Sequence, residues 1–286
     1  MSRIGVIGGS GLYQIEGLTN VREERIETPF GEPSDAYILG TLDGIEMAFL
    51  PRHGRGHVVN PTEVNYRANI WGMKKLGVDW IVSVSAVGSL QAEIEPGHMV
   101  VIDQFIDRTK GVRPVTFYEK GIVGHVAFAD PVCMTLRKYI LEASQEAGAV
   151  THDGGIYVNM EGPQFSTRAE SELYRSWGAR VIGMTNLTEA KLAREAEISY
   201  ATLAMSTDYD CWHPHHDDVN VEDIIAVLTA NVAMAKEVIR RVAPKIAAHD
   251  GPQPVKGCMA NAIMTAPDRI PAETRAAVEI LVGQYL

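Results

Sequence analysis

The chain has 286 residues, of which 46% are apolar and 22% charged, with a net charge of −10. That is ample apolar material for one large α/β core, and it excludes a fibrous or disordered chain. An acidic chain lacks the basic face that a nucleic-acid backbone demands, which excludes nucleic acid as a partner. A small anion held by a few cations and backbone amides is not excluded.

Short, continuously apolar runs predict strands buried on both faces at residues 4–7, 47–50, 80–85, 99–102, 156–160, 181–184 and 200–205. The first is too short and too glycine-broken for a signal peptide or membrane span. Helices are expected between the strands. Thr62 is the expected cap of a helix through Val64, Ala68, Trp71 and Leu76, ended by Gly77. A second carries Leu136, Ile140 and Ala143, a third starts at Thr167, and a fourth lies around residues 189–195. The longest, from Val221 to about Val242, sets Ile224, Ile225, Leu228, Val232, Ala235 and Ile239 on one stripe. The alternation predicts an α/β class, with Gly251-Pro252-Gln253-Pro254 separating the body from a C-terminal segment. Cys133, Cys211 and Cys258 are odd in number and widely spaced, which predicts inert thiols in a reducing, cytoplasmic setting.

Ligands of α/β sheets collect at the carboxyl ends of strands, and the polar punctuation of this chain falls there. Gly8-Gly9-Ser10-Gly11 is a phosphate nest or a plain tight turn, and it lacks the third glycine of a dinucleotide fingerprint. Arg52-His53-Gly54-Arg55 offers a planar cationic fork beside a histidine, suited to an oxyanion. Ser85 and the amides after it are a third anion contact or a simple turn. Glu161 is either a hydroxyl acceptor or a structural ion-pair partner. Phe165 is a stacking platform or core, and Met184-Thr185 offers an apolar sugar contact and a hydroxyl. Asp208 and Asp210 follow a buried strand on alternate positions and can face one pocket, where burial raises a carboxyl pKa. His213-Pro214-His215-His216 has no recognisable ligand spacing, so no metal is expected.

Taken in order, Ile7-Gly8-Gly9-Ser10-Gly11-Leu12, Pro51-Arg52-His53-Gly54-Arg55, Glu161-Gly162-Pro163-Gln164-Phe165-Ser166 and Thr207-Asp208-Tyr209-Asp210-Cys211-Trp212 resemble the methylthioadenosine phosphorylase branch of the trimeric purine nucleoside phosphorylases. The likeness runs from about residue 3 to about 245. It implies an α/β single domain with a central mixed, partly barrel-like β-sheet flanked by helices. The nucleoside phosphorylase domain would span residues 1–248, and an extension, 249–286, would pack on the body or a neighbouring subunit. The resemblance further implies phosphate binding by Ser10, Arg52, His53, Ser85, Ala86 and Thr185. Met184 would meet the ribose, and Phe165 the purine. Asp208 would be the catalytic acid, with Asp210 beside it at the base edge. Ser166 and Val221 would set specificity, and His125 would be lent across a trimer interface.

Where the family often carries Asn, this chain has Gly183. The implied reaction needs a nucleoside and inorganic phosphate as co-substrate, and no cofactor or metal. The implied assembly is a homotrimer or a dimer of trimers, away from any membrane. A 6-oxopurine or methylthioinosine phosphorylase is the near alternative. From other classes, a nicotinamide oxidoreductase is disfavoured by the missing glycine, and a non-catalytic nucleoside-binding module would look similar.

Overall fold

The strand Val78–Ser89 organises the sheet. The computed structural model describes residues 3–9, 11–214 and 221–286, apart from the side chains of 221–224 and 226. In chain order the strands are β1 (Arg3–Gly8), β2 (Leu18–Glu24), β3 (Tyr37–Leu42), β4 (Ile45–Pro51), β5 (Val78–Ser89), β6 (Met99–Val101), β7 (Gln104–Arg108), β8 (Thr151–Asp153), β9 (Ile156–Met160), β10 (Ala179–Gly183) and β11 (Ser199–Asp208). The helices are α1 (Tyr66–Lys75), α2 (Met134–Glu146), α3 (Arg168–Ser176), α4 (Asn186–Glu195), α5 (Val221–Ala247) and α6 (Ala272–Val282).

β5 pairs in parallel with β1 and β11, and its carboxyl end pairs antiparallel with β10. From β1 the sheet continues through β4, β3 and β2, and from β10 through β9 and β7, while β11 leads to β6 and β8. The sheet is therefore mixed and branched, and it does not close on itself. Period-2 alternation sends neighbouring apolar residues to opposite layers. Ile38 packs with Phe49, Leu136 and Ile239 on the side of α2 and α5, whereas Tyr37 and Leu39 pack with Ile70, Ala190 and Leu281 on the side of α1, α4 and α6. Each large apolar side chain buried this way contributes about 1.5–3 kcal/mol.

Three expectations need correction. Helix α1 is capped by the Asn65 side chain, which accepts from Ala68 N at 3.2 Å. Thr62 lies upstream and donates its hydroxyl to Glu161 at 2.6 Å instead. In α5 the buried stripe holds at Ala235 and Ile239, but Ile225 is exposed, and the Ile224 side chain lies outside the described set. Strands β2, β3, β7 and β8 were not expected; β2, β7 and β8 each pair with a single neighbour. Beyond residue 248, Met259, Ala262, Ile270, Val278 and Leu281 enter the same core as α1, and Trp71 Nε1 donates to Ala277 O at 3.0 Å.

Candidate active site

β1, β4, β5 and β11 are mutually parallel, so their carboxyl ends face one side. β10 runs the other way along β5, with Ile182 opposite Gly88 and Val181 opposite Ser89. Its carboxyl end, Gly183 followed by Met184 and Thr185, therefore returns toward the middle of β5. There, Ala86 is the exposed position in an otherwise buried or half-buried strand. We take the space at that point, with Ser85 and Ala86 beneath it, as the candidate crevice.

On one flank stands Arg52, at the end of β4 and almost fully buried. Its Nε and Nη2 form a paired salt bridge to Glu189 of α4, Nη2 also donates to Ser83 Oγ at 2.7 Å, and Nη1 donates to Val84 O at 3.0 Å. Burial works against the guanidinium charge, and the Glu189 carboxylate outweighs it. Most of the five N–H donors thus serve the protein interior, and Nη1 keeps a second hydrogen to offer. Next to it, His53 Nδ1 donates to Val59 O at 2.8 Å, which leaves Nε2 as the acceptor of a neutral ring. Burial, with the Arg52 charge second, pulls its pKa down to about 4. Thr185 is buried and donates to Asn186 Oδ1 at 3.1 Å. Ser10 lies outside the described residues.

On the other flank β11 ends at Asp208, which pairs with Gly88 of β5. A Cβ at Gly88 would stand 2.9 Å from Asp208 Oδ1, so glycine here gives the carboxyl its room. Asp208 accepts from Thr207 Oγ1 at 2.7 Å and from Asp210 N at 2.8 Å, yet burial still raises its pKa. Burial raises Asp210 as well, partly offset by the nearby Ser171 and Ser166 hydroxyls. Asp210 is only 5% exposed, and its Oδ2 is buried with no hydrogen bond of ordinary geometry among the described residues.

The loop after β9 closes this flank. Ser166 lies against Met160 and receives the Cys211 thiol on its carbonyl, while Phe165 is 48% exposed. The Met184 sulfur occupies the space above Gly162, where a Cβ would stand 2.4 Å from it.

Not every expected residue is in this crevice. His125 is exposed, and its backbone N donates to Ala262 O at 2.8 Å, so it sits with the C-terminal segment. The Val221 side chain is outside the described set. Conversely, several residues that sequence reasoning missed support the site. Arg113 is buried, pairs with Glu161 at 2.7 Å and donates to the Met184 and Glu161 carbonyls, tying the sugar side to the base-side loop. Glu161 is thus both ion-pair partner and hydroxyl acceptor. Glu189 holds Arg52, and Asn186 donates to Ser83 Oγ and Thr202 Oγ1, each at 3.0 Å. The one signal for both is position, since they fall in the first turn of a helix that follows a site strand.

The profile of the phosphorylase superfamily matches residues 3–244. The S-methyl-5'-thioadenosine phosphorylase of Geobacter sulfurreducens is 59% identical over 283 residues, covering 99% of both chains. That of Koribacter versatilis is 56% identical, over 99% of this chain and 97% of its own. Among solved structures, a methylthioadenosine phosphorylase from an antarctic soil metagenomic library superposes with a TM-score of 0.94 at 48% identity, covering 98% of each chain. The Schistosoma mansoni methylthioadenosine phosphorylase in complex with adenine gives 0.85 at 34% identity, over 92% of this chain and 99% of that one. The chain belongs to the phosphorylase superfamily, in the branch of the S-methyl-5'-thioadenosine phosphorylases.

Proposed function

We propose that this protein is a pentosyltransferase that cleaves 5'-methylthioadenosine with inorganic phosphate. The products are adenine and 5-methylthioribose 1-phosphate, a step of purine and methionine salvage. One observation carries the reading: two buried carboxyls of raised pKa, Asp208 at the end of β11 and Asp210 just beyond it, lie against Gly88 of β5, beside its anion-side residues. Ala86 and Gly88 are two residues, about 7 Å, apart along that strand, and a ribose fits between them.

In this reading Arg52, His53, Ser10, Ser85, Thr185 and the Ala86 amide hold phosphate on one face of the sugar, a proximity effect. The C1'–N9 bond breaks with its electrons flowing into the adenine ring, and a phosphate oxygen bonds to C1'. Protonated Asp208 gives its proton to N7, which neutralises the leaving group. Asp210 faces the base edge, Phe165 and Met184 meet base and ribose, and Ser166 and Val221 tune specificity. Because phosphate is the co-substrate and a side-chain acid serves the leaving group, the reaction calls for no cofactor or metal. We place the enzyme in the cytoplasm, in keeping with its free cysteines. We take it to be a homotrimer in which exposed His125 reaches a neighbour's 5' pocket.

Incubation with methylthioadenosine should release adenine only when phosphate is present. No release at any phosphate concentration, or release without phosphate, contradicts the reading. A second reading, a 6-oxopurine nucleoside or methylthioinosine, draws support from the raised pKa of Asp210, because a protonated carboxyl can donate to a 6-oxo group. Parallel assays with inosine and methylthioinosine separate the two.

A further inference from the structure

Tyr157, the second residue of β9, is fully buried. Its ring packs edge-on against Phe105, with centroids 5.3 Å apart, as a core tyrosine does. Its hydroxyl has a separate environment. It donates to Asn186 Oδ1 at 3.1 Å, while Ser85, whose hydroxyl donates to the Ala86 carbonyl at 3.3 Å, and the Thr185 backbone amide are close enough to influence the same phenol. Asn186 in turn accepts from Thr185 Oγ1, so one phenol touches or underlies both the β5 and the β10 sides of the anion crevice. The hydroxyl reaches that point through a gap in the neighbouring strand. A Cβ at Gly183 would stand 1.9 Å from the phenol oxygen, so any side chain there would displace it.

We propose that Tyr157 is a positioning residue for phosphate, whose hydroxyl orients Ser85 and Thr185 from below through space left by Gly183. The proposal rests on the phosphorolysis reading for its kinetics, though not for the anion binding itself. A phenol is suited to the task because it donates once, to Asn186, and keeps acceptor capacity for a donor from Ser85 of β5 or from the Thr185 amide at the start of α4. Burial holds its pKa up at about 12, so the proton that Asn186 receives stays in place at any working pH. With this bond made, Asn186 offers its amide hydrogens to Ser83 and Thr202 and its oxygen to Tyr157 and Thr185, which fixes its orientation.

Tyr157→Phe removes one oxygen and keeps the ring packing. The KM for phosphate should rise about tenfold, the usual consequence of losing one buried orienting hydrogen bond. The KM for methylthioadenosine should stay within about twofold. A merely structural role lowers the melting temperature without splitting the two KM values. Gly183→Ala dislodges the hydroxyl with the tyrosine still present and should give the same split, which guards against one variant folding poorly. An unchanged phosphate KM in either folded variant, or both KM values rising together, overturns the proposal.

Calorimetric titration with inorganic phosphate separates this inference from the reaction assigned above. A wild-type protein that binds phosphate without turnover, and a Tyr157→Phe variant that binds it about tenfold less tightly, would uphold Tyr157 and sink the reaction. Turnover with equal phosphate affinity in both proteins would do the reverse, and a wild type that binds no phosphate sinks both.

Discussion

The two flanks of the crevice are built on opposite principles. On the Arg52 side the buried polar groups are matched inside the protein: Arg52 with Glu189, Glu189 with Ser83 and Tyr200, Asn186 with Ser83, Thr202, Tyr157 and Thr185. On the Asp208 side the buried carboxyls have hydroxyl and backbone donors but no salt-bridge cation among the described residues. Their pKa values are raised, and Asp210 Oδ2 is buried without an ordinary hydrogen bond. A saturated network is scaffold and holds its shape with the site empty. A buried carboxyl with no cation beside it costs stability when it ionises. The first flank is thus preformed for a small, invariant anion, and the second keeps uncompensated carboxyls for the base.

The contrast can be broken by substitution, and the largest effect belongs to the Asp208 flank. Asp208→Asn keeps the volume but removes the proton donor, and kcat should fall by about 10²–10⁴ while the melting temperature holds. A fall under tenfold would remove Asp208 from the chemistry. On the saturated flank the expected loss is in stability. Glu189→Ala leaves Arg52 buried and unpaired, which should cost about 3–5 kcal/mol in denaturant melts. A cost below about 1 kcal/mol would show that the network is not the scaffold described.

A smaller change sharpens the base side. Asp210→Asn should shift the preference between 6-amino and 6-oxo nucleosides by about tenfold, read as the ratio of kcat/KM values. The same variant should stabilise the ligand-free protein at neutral pH. A carboxyl whose folded pKa is raised gives stability below its ordinary value, and that stability is lost as pH climbs through the raised one. A pH-dependent effect on stability is expected at His53. Its folded pKa, about 4, lies below the ordinary 6.5, so its contribution is complete above pH 6.5 and fades as pH falls toward about 4. Urea melts at several pH values should show that loss, and His53→Gln should flatten it.

Much of this arrangement is legible in the amino-acid sequence, and what is not has a common cause. The strands β1, β4, β5, β9, β10 and β11 announce themselves because both faces are buried and their runs are continuously apolar. β2, with the sequence Leu-Thr-Asn-Val-Arg-Glu-Glu, is a largely exposed edge with no such signal. Asn65 rather than Thr62 caps α1 because Thr62 is drawn to Glu161 across the fold, a contact 99 residues distant. Within the site, Arg52, His53, Ser85, Thr185, Asp208 and Asp210 stand out as polar groups that end apolar strands. Glu189, Asn186, Arg113 and Tyr157 do not, since a glutamate in a helix reads as solvated and a tyrosine in a strand as core. Only tertiary burial turns them into supports. His125 is legible solely through the resemblance, and within one chain it sits with the C-terminal segment.

The central claim is that a carboxyl at the end of β11, its pKa raised by burial, serves the leaving base. The pH dependence of kcat for methylthioadenosine at saturating phosphate tests it most directly, measured from about pH 5 to about pH 9 in the wild type and in Asp208→Asn. The account predicts an alkaline fall in the wild type, at an apparent pKa above that of an ordinary aspartate, and no such fall in the variant's residual rate. A flat wild-type profile, or an alkaline limb that survives the substitution, would contradict it.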